Sequence, residues 1–109
     1  MKKGAYRALD TVLVYYRYKW DVLRDPDVFS FEESQEFMSI TSDDLIQVIY
    51  EIDRIMDGGH IEKIKDIALK MKKFGTRATG IGMGGEFIGE GDEISKKVED
   101  FREEISSQI

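Results

Sequence analysis

The sequence predicts a mainly α protein: a small helical bundle of four main helices plus one short helix, with a Gly-rich insert before the C-terminal helix. Three observations predict this class. Apolar residues recur three and four positions apart through most of the chain. The 109 residues hold a single Pro, placed where the first periodic stretch ends. Seven of the 17 residues from 75 to 91 are Gly, and the periodicity is interrupted there. A chain of 109 residues suits one domain, 1–109, and area scaling lets it bury roughly two-thirds of its unfolded surface without covalent staples.

The first helix is expected over about 4–25. Ala5, Leu9, Val12, Leu13, Tyr16, Trp20 and Leu23 fall within about 100° of one another on a helical wheel, the width of a core-facing stripe. The run Thr11-Val12-Leu13-Val14-Tyr15-Tyr16 also has strand propensity, so a short strand is the alternative there. Asp25-Pro26 stops the element, because Pro disfavours helical geometry in the residue before it. A short second helix follows, with Ser30 and Glu33 as a capping box and its end near Ile40. The third helix opens on Thr41 or Ser42 as cap, with Asp43 and Asp44 at the positive end of its dipole and a stripe of Leu45, Val48, Ile49, Ile52, Ile55 and Met56. Asp57-Gly58-Gly59 closes it. The fourth starts at about His60 and carries Ile61, Ile64, Ile67, Ala68, Met71 and Phe74, with Gly75 as a left-handed C-cap. Asp92 is expected to cap the last helix, whose Ile94, Val98, Phe101 and Ile105 are spaced by four, three and four residues.

Residues 75–91 form a loop or a hairpin within this domain. Gly84-Gly85 suits a two-residue turn, which would pair Gly82 with Phe87 and Ile81 with Ile88. The run Gly80-Ile81-Gly82-Met83-Gly84-Gly85 also has the look of a phosphate-cradling loop. The next helix, however, opens with Glu90, Asp92 and Glu93, which repel phosphate, and no strand precedes the run. No nucleotide or other cofactor is therefore assigned.

Enzyme chemistry finds little material. Without Cys there is no thiol nucleophile or thiolate metal site, and one His excludes a poly-His site. No catalytic or metal-binding residue is assigned, and His60 reads as a surface turn residue. Glu32-Glu33-x-x-Glu36 resembles the first half of the magnesium-binding motif, EExxE then ExxD, of the all-α nucleotide pyrophosphohydrolases. The second half is not met: Glu51 is followed three residues later by Arg54, and Tyr50 stands where Asp53 would need its Glu. The resemblance covers these few residues and implies a lower-ranked alternative, a magnesium-dependent nucleotide hydrolase. An acidic helical surface accounts for the same residues. No apolar run reaches the roughly 20 residues of a membrane span, and the start leads into no signal-peptide core, so the expected location is the cytoplasm.

Net charge is −6, but it is unevenly spread. Residues 1–20 and 60–80 are net basic, whereas 21–59 and 81–109 are net acidic. The basic blocks admit a winged-helix DNA-binding regulator, with the fourth helix and a 79–90 hairpin as the binding elements and Lys63, Lys70, Lys73 and Arg77 as contacts. Lysines bordering an apolar stripe more often cover it with their stems. The first helix favours a different reading. Opposite its core stripe, Thr11, Val14, Tyr15, Tyr18 and Val22 make a second, partly apolar face, as in a helix central to a domain or covered by another chain. The expected function is a non-enzymatic protein-interaction or regulatory module that self-associates as a dimer. Its candidate interface is Val14, Tyr15, Tyr18 and Val22, with Phe101 and Ile105 on the last helix. The acidic stretch 21–57 is a surface for a basic partner, a mimic of DNA phosphates, or a solvated face.

Overall fold

The first helix, α1 (Lys2–Leu23), keeps the register its apolar residues set, burying Ala5, Tyr6, Leu9, Leu13, Tyr16, Trp20 and Leu23. It is helical throughout, so the strand propensity of Thr11–Tyr16 yields to this periodicity. The structure, a computed structural model, describes residues 2–77 and 84–109. After α1 come α2 (Phe31–Ile52), α3 (Gly58–Thr76), α4 (Gly84–Ile105) and a 3₁₀ turn at Ser106–Gln108. Each helix packs antiparallel to its neighbours in an up-down-up-down ring, α4 returning against α1.

Two cross-chain clusters close the ends of the core. At one end the indole of Trp20 stands edge-on to Phe74, and Phe74 and Phe31 both meet Phe87, the latter with ring centroids 4.0 Å apart. Nearby, Tyr16 stacks on Phe37 and aims its hydroxyl at the Gly91 carbonyl, 3.5 Å away; burial pushes that hydroxyl's pKa above its ordinary range. At the other end, Tyr6 and Phe101 enclose the ring of His60.

Several sequence expectations are corrected. The separate short second helix and the third helix are one continuous helix, α2. Thr41 and Ser42 are buried in its middle instead of capping it. Ser42 donates across the helix pair to the Ala68 carbonyl at 2.7 Å, so a small polar side chain is satisfied inside the stripe without breaking the helix. Ser30 is the N-cap, as its spacing to Glu33 predicts, accepting from the Glu33 amide at 3.3 Å.

The Gly-rich segment corrects the expectation of a hairpin or wing. Residues 78–83, including the strand positions Ile81, Gly82 and Met83, lie outside the described residues. From Gly84 the chain is α-helical, and Gly84-Gly85 opens α4 instead of turning a hairpin. The core seam of α4 accordingly begins at Phe87 and runs through Gly91, Ile94, Val98, Phe101 and Ile105. Asp92 lies within this helix instead of capping it. Gly75 likewise stays inside α3. A Cβ there would come within 2.9 Å of the Gln35 carbonyl oxygen and the Ser39 nitrogen, so α2 and α3 meet where a side chain is missing.

Polar contacts tie α1 to α4 outside the apolar seam. Arg17 pairs with Glu99 at 2.9 Å and Arg102 with Asp10 at 2.9 Å. Asp92 accepts from Arg24 through two bonds of 2.8 Å and from the Trp20 indole N–H at 2.9 Å. The Arg24 bond, reinforced by the indole, holds the Asp92 carboxyl below its ordinary value. A depressed native pKa gives stability that is present above the unfolded-state value and is lost as pH falls through the native one. Asp92→Asn is therefore expected to cost about 0.5–1 kcal/mol at neutral pH, the modest size reflecting solvent exposure. It should also flatten the loss of stability below about pH 4. Urea unfolding at neutral pH and at two acidic pH values measures both effects. An acid limb as steep as that of the parent would refute this role.

Candidate protein-interaction surface

A helix in a four-membered ring packs on two neighbours and leaves its outer third to solvent. On α4 that outer strip is charged, with Glu93, Lys96, Lys97 and Asp100 exposed. On α1 it is not. Tyr18 is 74% exposed, Val22 67% and Tyr15 60%, with Val14 half-buried beside them. Residues 14, 18 and 22 are four apart and share one face with Tyr15 at its edge. None of them enters the core cluster. The second apolar face that the sequence places on this helix is thus left uncovered by the chain's other helices.

Beside this face, α1 and α2 enclose a shallow groove of about 330 Å³. Tyr15, Phe37 and Ile40 line its apolar side, and Glu33, Glu36 and Asp44 stand along α2. Among the described residues these three carboxylates have no ion-pair partner. A larger open groove, about 770 Å³, lies between α3 and α4 over Ile67 and Phe101. Several of its rim charges are paired, Lys63 with Glu104, Asp66 with Lys70 and Asp100 with Lys96.

The other predicted residues are distributed differently. Phe101 and Ile105 are 3% and 0% exposed, because the seam of α4 packs into the chain's own core. Of the four basic residues assigned to nucleic acid, Lys63 and Lys70 are in the pairs just given. Arg77 pairs with Glu90 and lies over the Phe87 ring, its guanidinium carbon 5.6 Å from the centroid. Lys73 is exposed in the last turn of α3. Moreover α2 and α3 run antiparallel along their lengths, with Ser39 on Gly75 and Ser42 on Ala68, whereas a helix-turn-helix crosses at about 90–120°.

The carboxylates of the Glu32-Glu33-x-x-Glu36 run are exposed at the start of α2. Among the described residues no group of three or more Asp, Glu or His side chains is placed to hold a metal ion. No helix among those residues is long and apolar enough to cross a membrane. His60 corrects its reading as a surface turn residue: it is half-buried in α3, with Nδ1 hydrogen-bonded to the Tyr6 hydroxyl at 2.6 Å. That hydroxyl also accepts from the Asp57 amide at 3.4 Å, joining the start of α1 to the α2–α3 connection. Tyr6, fully buried, was not part of the predicted stripe. Its place at the edge of the stripe, about 20° beyond Leu13 on the wheel, was the available signal. No family model, curated protein or solved structure matches the chain.

Proposed function

We propose that this chain is a small, non-enzymatic protein-interaction module of the cytoplasm that self-associates through the outward face of α1. The observation that carries this reading is the uncovered apolar strip of Tyr15, Tyr18 and Val22 on a helix whose other side is already committed to the core. Leaving such a strip in water forgoes roughly 25 cal/mol for each Å² that another surface would cover, and Tyr serves interfaces by pairing apolar area with a polar tip. The acidic edge of α2 beside the strip steers association and discriminates against acidic surfaces.

Light scattering coupled to size exclusion tests the proposal. The parent chain is expected to elute with a mass above the 12.6 kDa of one copy. Tyr18→Glu places a charge in the centre of the contact and should return the mass to one copy while leaving the helical circular dichroism unchanged. A parent chain that is monomeric at all concentrations would overturn the self-association. A Tyr18→Glu variant of unchanged mass would move the contact off this face.

A further inference from the structure

We infer that the partner on the outward face of α1 is α1 of a second copy, laid antiparallel across a two-fold axis that passes between Thr11 and Val14. This rests on the self-association proposed above and adds its geometry. Three features of the helix point to it.

The first is charge. Lys2, Lys3 and Arg7 make the beginning of α1 basic; all three are exposed, and among the described residues none is in an ion pair. At the other end of α1, Arg17 and Arg24 are paired with Glu99 and Asp92. Beyond the exposed Lys19, the connection to α2 and the start of α2 are acidic, with Asp25, Asp27, Glu32, Glu33 and Glu36 exposed and, among the described residues, in no ion pair. A parallel pairing sets like charge against like. An antiparallel one sets each basic end against the partner copy's acidic end, twice, by symmetry.

The second is spacing. Gly4, Arg7, Thr11, Val14, Tyr18 and Asp21 are separated by three, four, three, four and three residues, the seam of a helix that packs lengthwise on another helix. With the axis between Thr11 and Val14, Arg7 meets Tyr18 of the partner copy, a cation over an aromatic face, and Thr11 meets the partner copy's Val14.

The third is size. The large side chains, Tyr15, Tyr18 and Val22, occupy the second half of the face, and the small ones, Gly4, Ala8 and Thr11, the first half. Reversal of one helix against the other seats Val14 on the smaller Thr11 and sets the flexible Arg7 against Tyr18, where a parallel in-register pair would set Tyr18 on Tyr18. Gly4 supports this: a Cβ there meets nothing within 4 Å in the chain, so no contact inside the bundle requires its missing side chain.

Because the chain has no Cys, one introduced Cys carries one spin label per copy. Thr11→Cys and Val22→Cys are the two labelling sites, and pulsed dipolar spectroscopy gives the distance between copies. A rise of about 1.5 Å per residue and an interaxial separation of about 8–10 Å predict roughly 10 Å between the two labelled backbones at Thr11 and roughly 30 Å at Val22. Equal distances at the two sites would indicate a parallel pair and overturn the antiparallel geometry while leaving self-association standing. A monomeric parent chain by light scattering would remove both. Charge reversal gives an independent readout. Arg7→Glu and Asp21→Arg should each weaken the dimer by about tenfold, and the double variant should recover most of that loss. Two losses that simply multiply would overturn the opposition of the two ends.

Discussion

Trp20→Ala is expected to lower the unfolding free energy by about 3–5 kcal/mol, the range for removing a buried large aromatic. Trp20 has no exposed surface and bridges three helices. It lies on α1, stands edge-on to Phe74 of α3 and donates its indole N–H to Asp92 of α4. Little can collapse into the space it leaves, because its wall on the α4 side is Gly91, which has no side chain to offer. Urea unfolding followed by circular dichroism at one fixed protein concentration measures the loss. A cost below 1 kcal/mol would mean that the indole is not a keystone of this end of the bundle.

Gly91→Ala is the reciprocal test. A Cβ at this position falls 2.1 Å from one indole carbon of Trp20 and 2.2 Å from the next, far inside van der Waals contact. The indole is wedged against Phe74, so α4 must shift, and overpacking of this kind costs about 1–3 kcal/mol. Gly89 is two residues away on the same helix and meets nothing within 4 Å at its Cβ position. Gly89→Ala should therefore stabilise α4 by about 0.5–1 kcal/mol, the usual gain for Ala over Gly within a helix. The opposite signs separate packing from helix propensity. The two sites should also be coupled: in the Trp20→Ala background, Gly91→Leu refills part of the void and should be less harmful than the two separate effects added together. Losses that add fully would show that Gly91 and Trp20 do not share one space.

The long periodic stretches were legible in the sequence because burial on one face of a helix imposes its own spacing. Leu9, Leu13, Tyr16 and Trp20 announced α1, Ile64, Ile67, Met71 and Phe74 announced α3, and Ile94, Val98, Phe101 and Ile105 the second half of α4. Thr41-Ser42-Asp43-Asp44 misled because it carries a sound local start signal for a helix. The stripe of Ser34, Phe37, Met38, Thr41, Leu45 and Ile49 in fact runs through it without a break, with small polar residues taking core places where α3 comes close. The Gly cluster misled for a related reason. Its local preference is for turns, and what places Gly91 in a helix is an indole 71 positions earlier in the chain.

The candidate surface divides in the same way. Val14, Tyr15, Tyr18 and Val22 were found from the sequence, since an apolar face opposite an apolar stripe is visible on a wheel. Phe101 and Ile105 have the same character on paper, yet they are core. Composition and periodicity thus determined by themselves that this chain is helical, where most of its core lies, and that α1 has two apolar faces. Tertiary structure alone decided which of the two is covered, that one uninterrupted helix replaces two, and that glycine can continue a helix where a tryptophan occupies the missing side chain's place. The reason is physical. Helix periodicity is a local consequence of burying one side, whereas coverage depends on how many neighbours surround each helix, which no local pattern encodes.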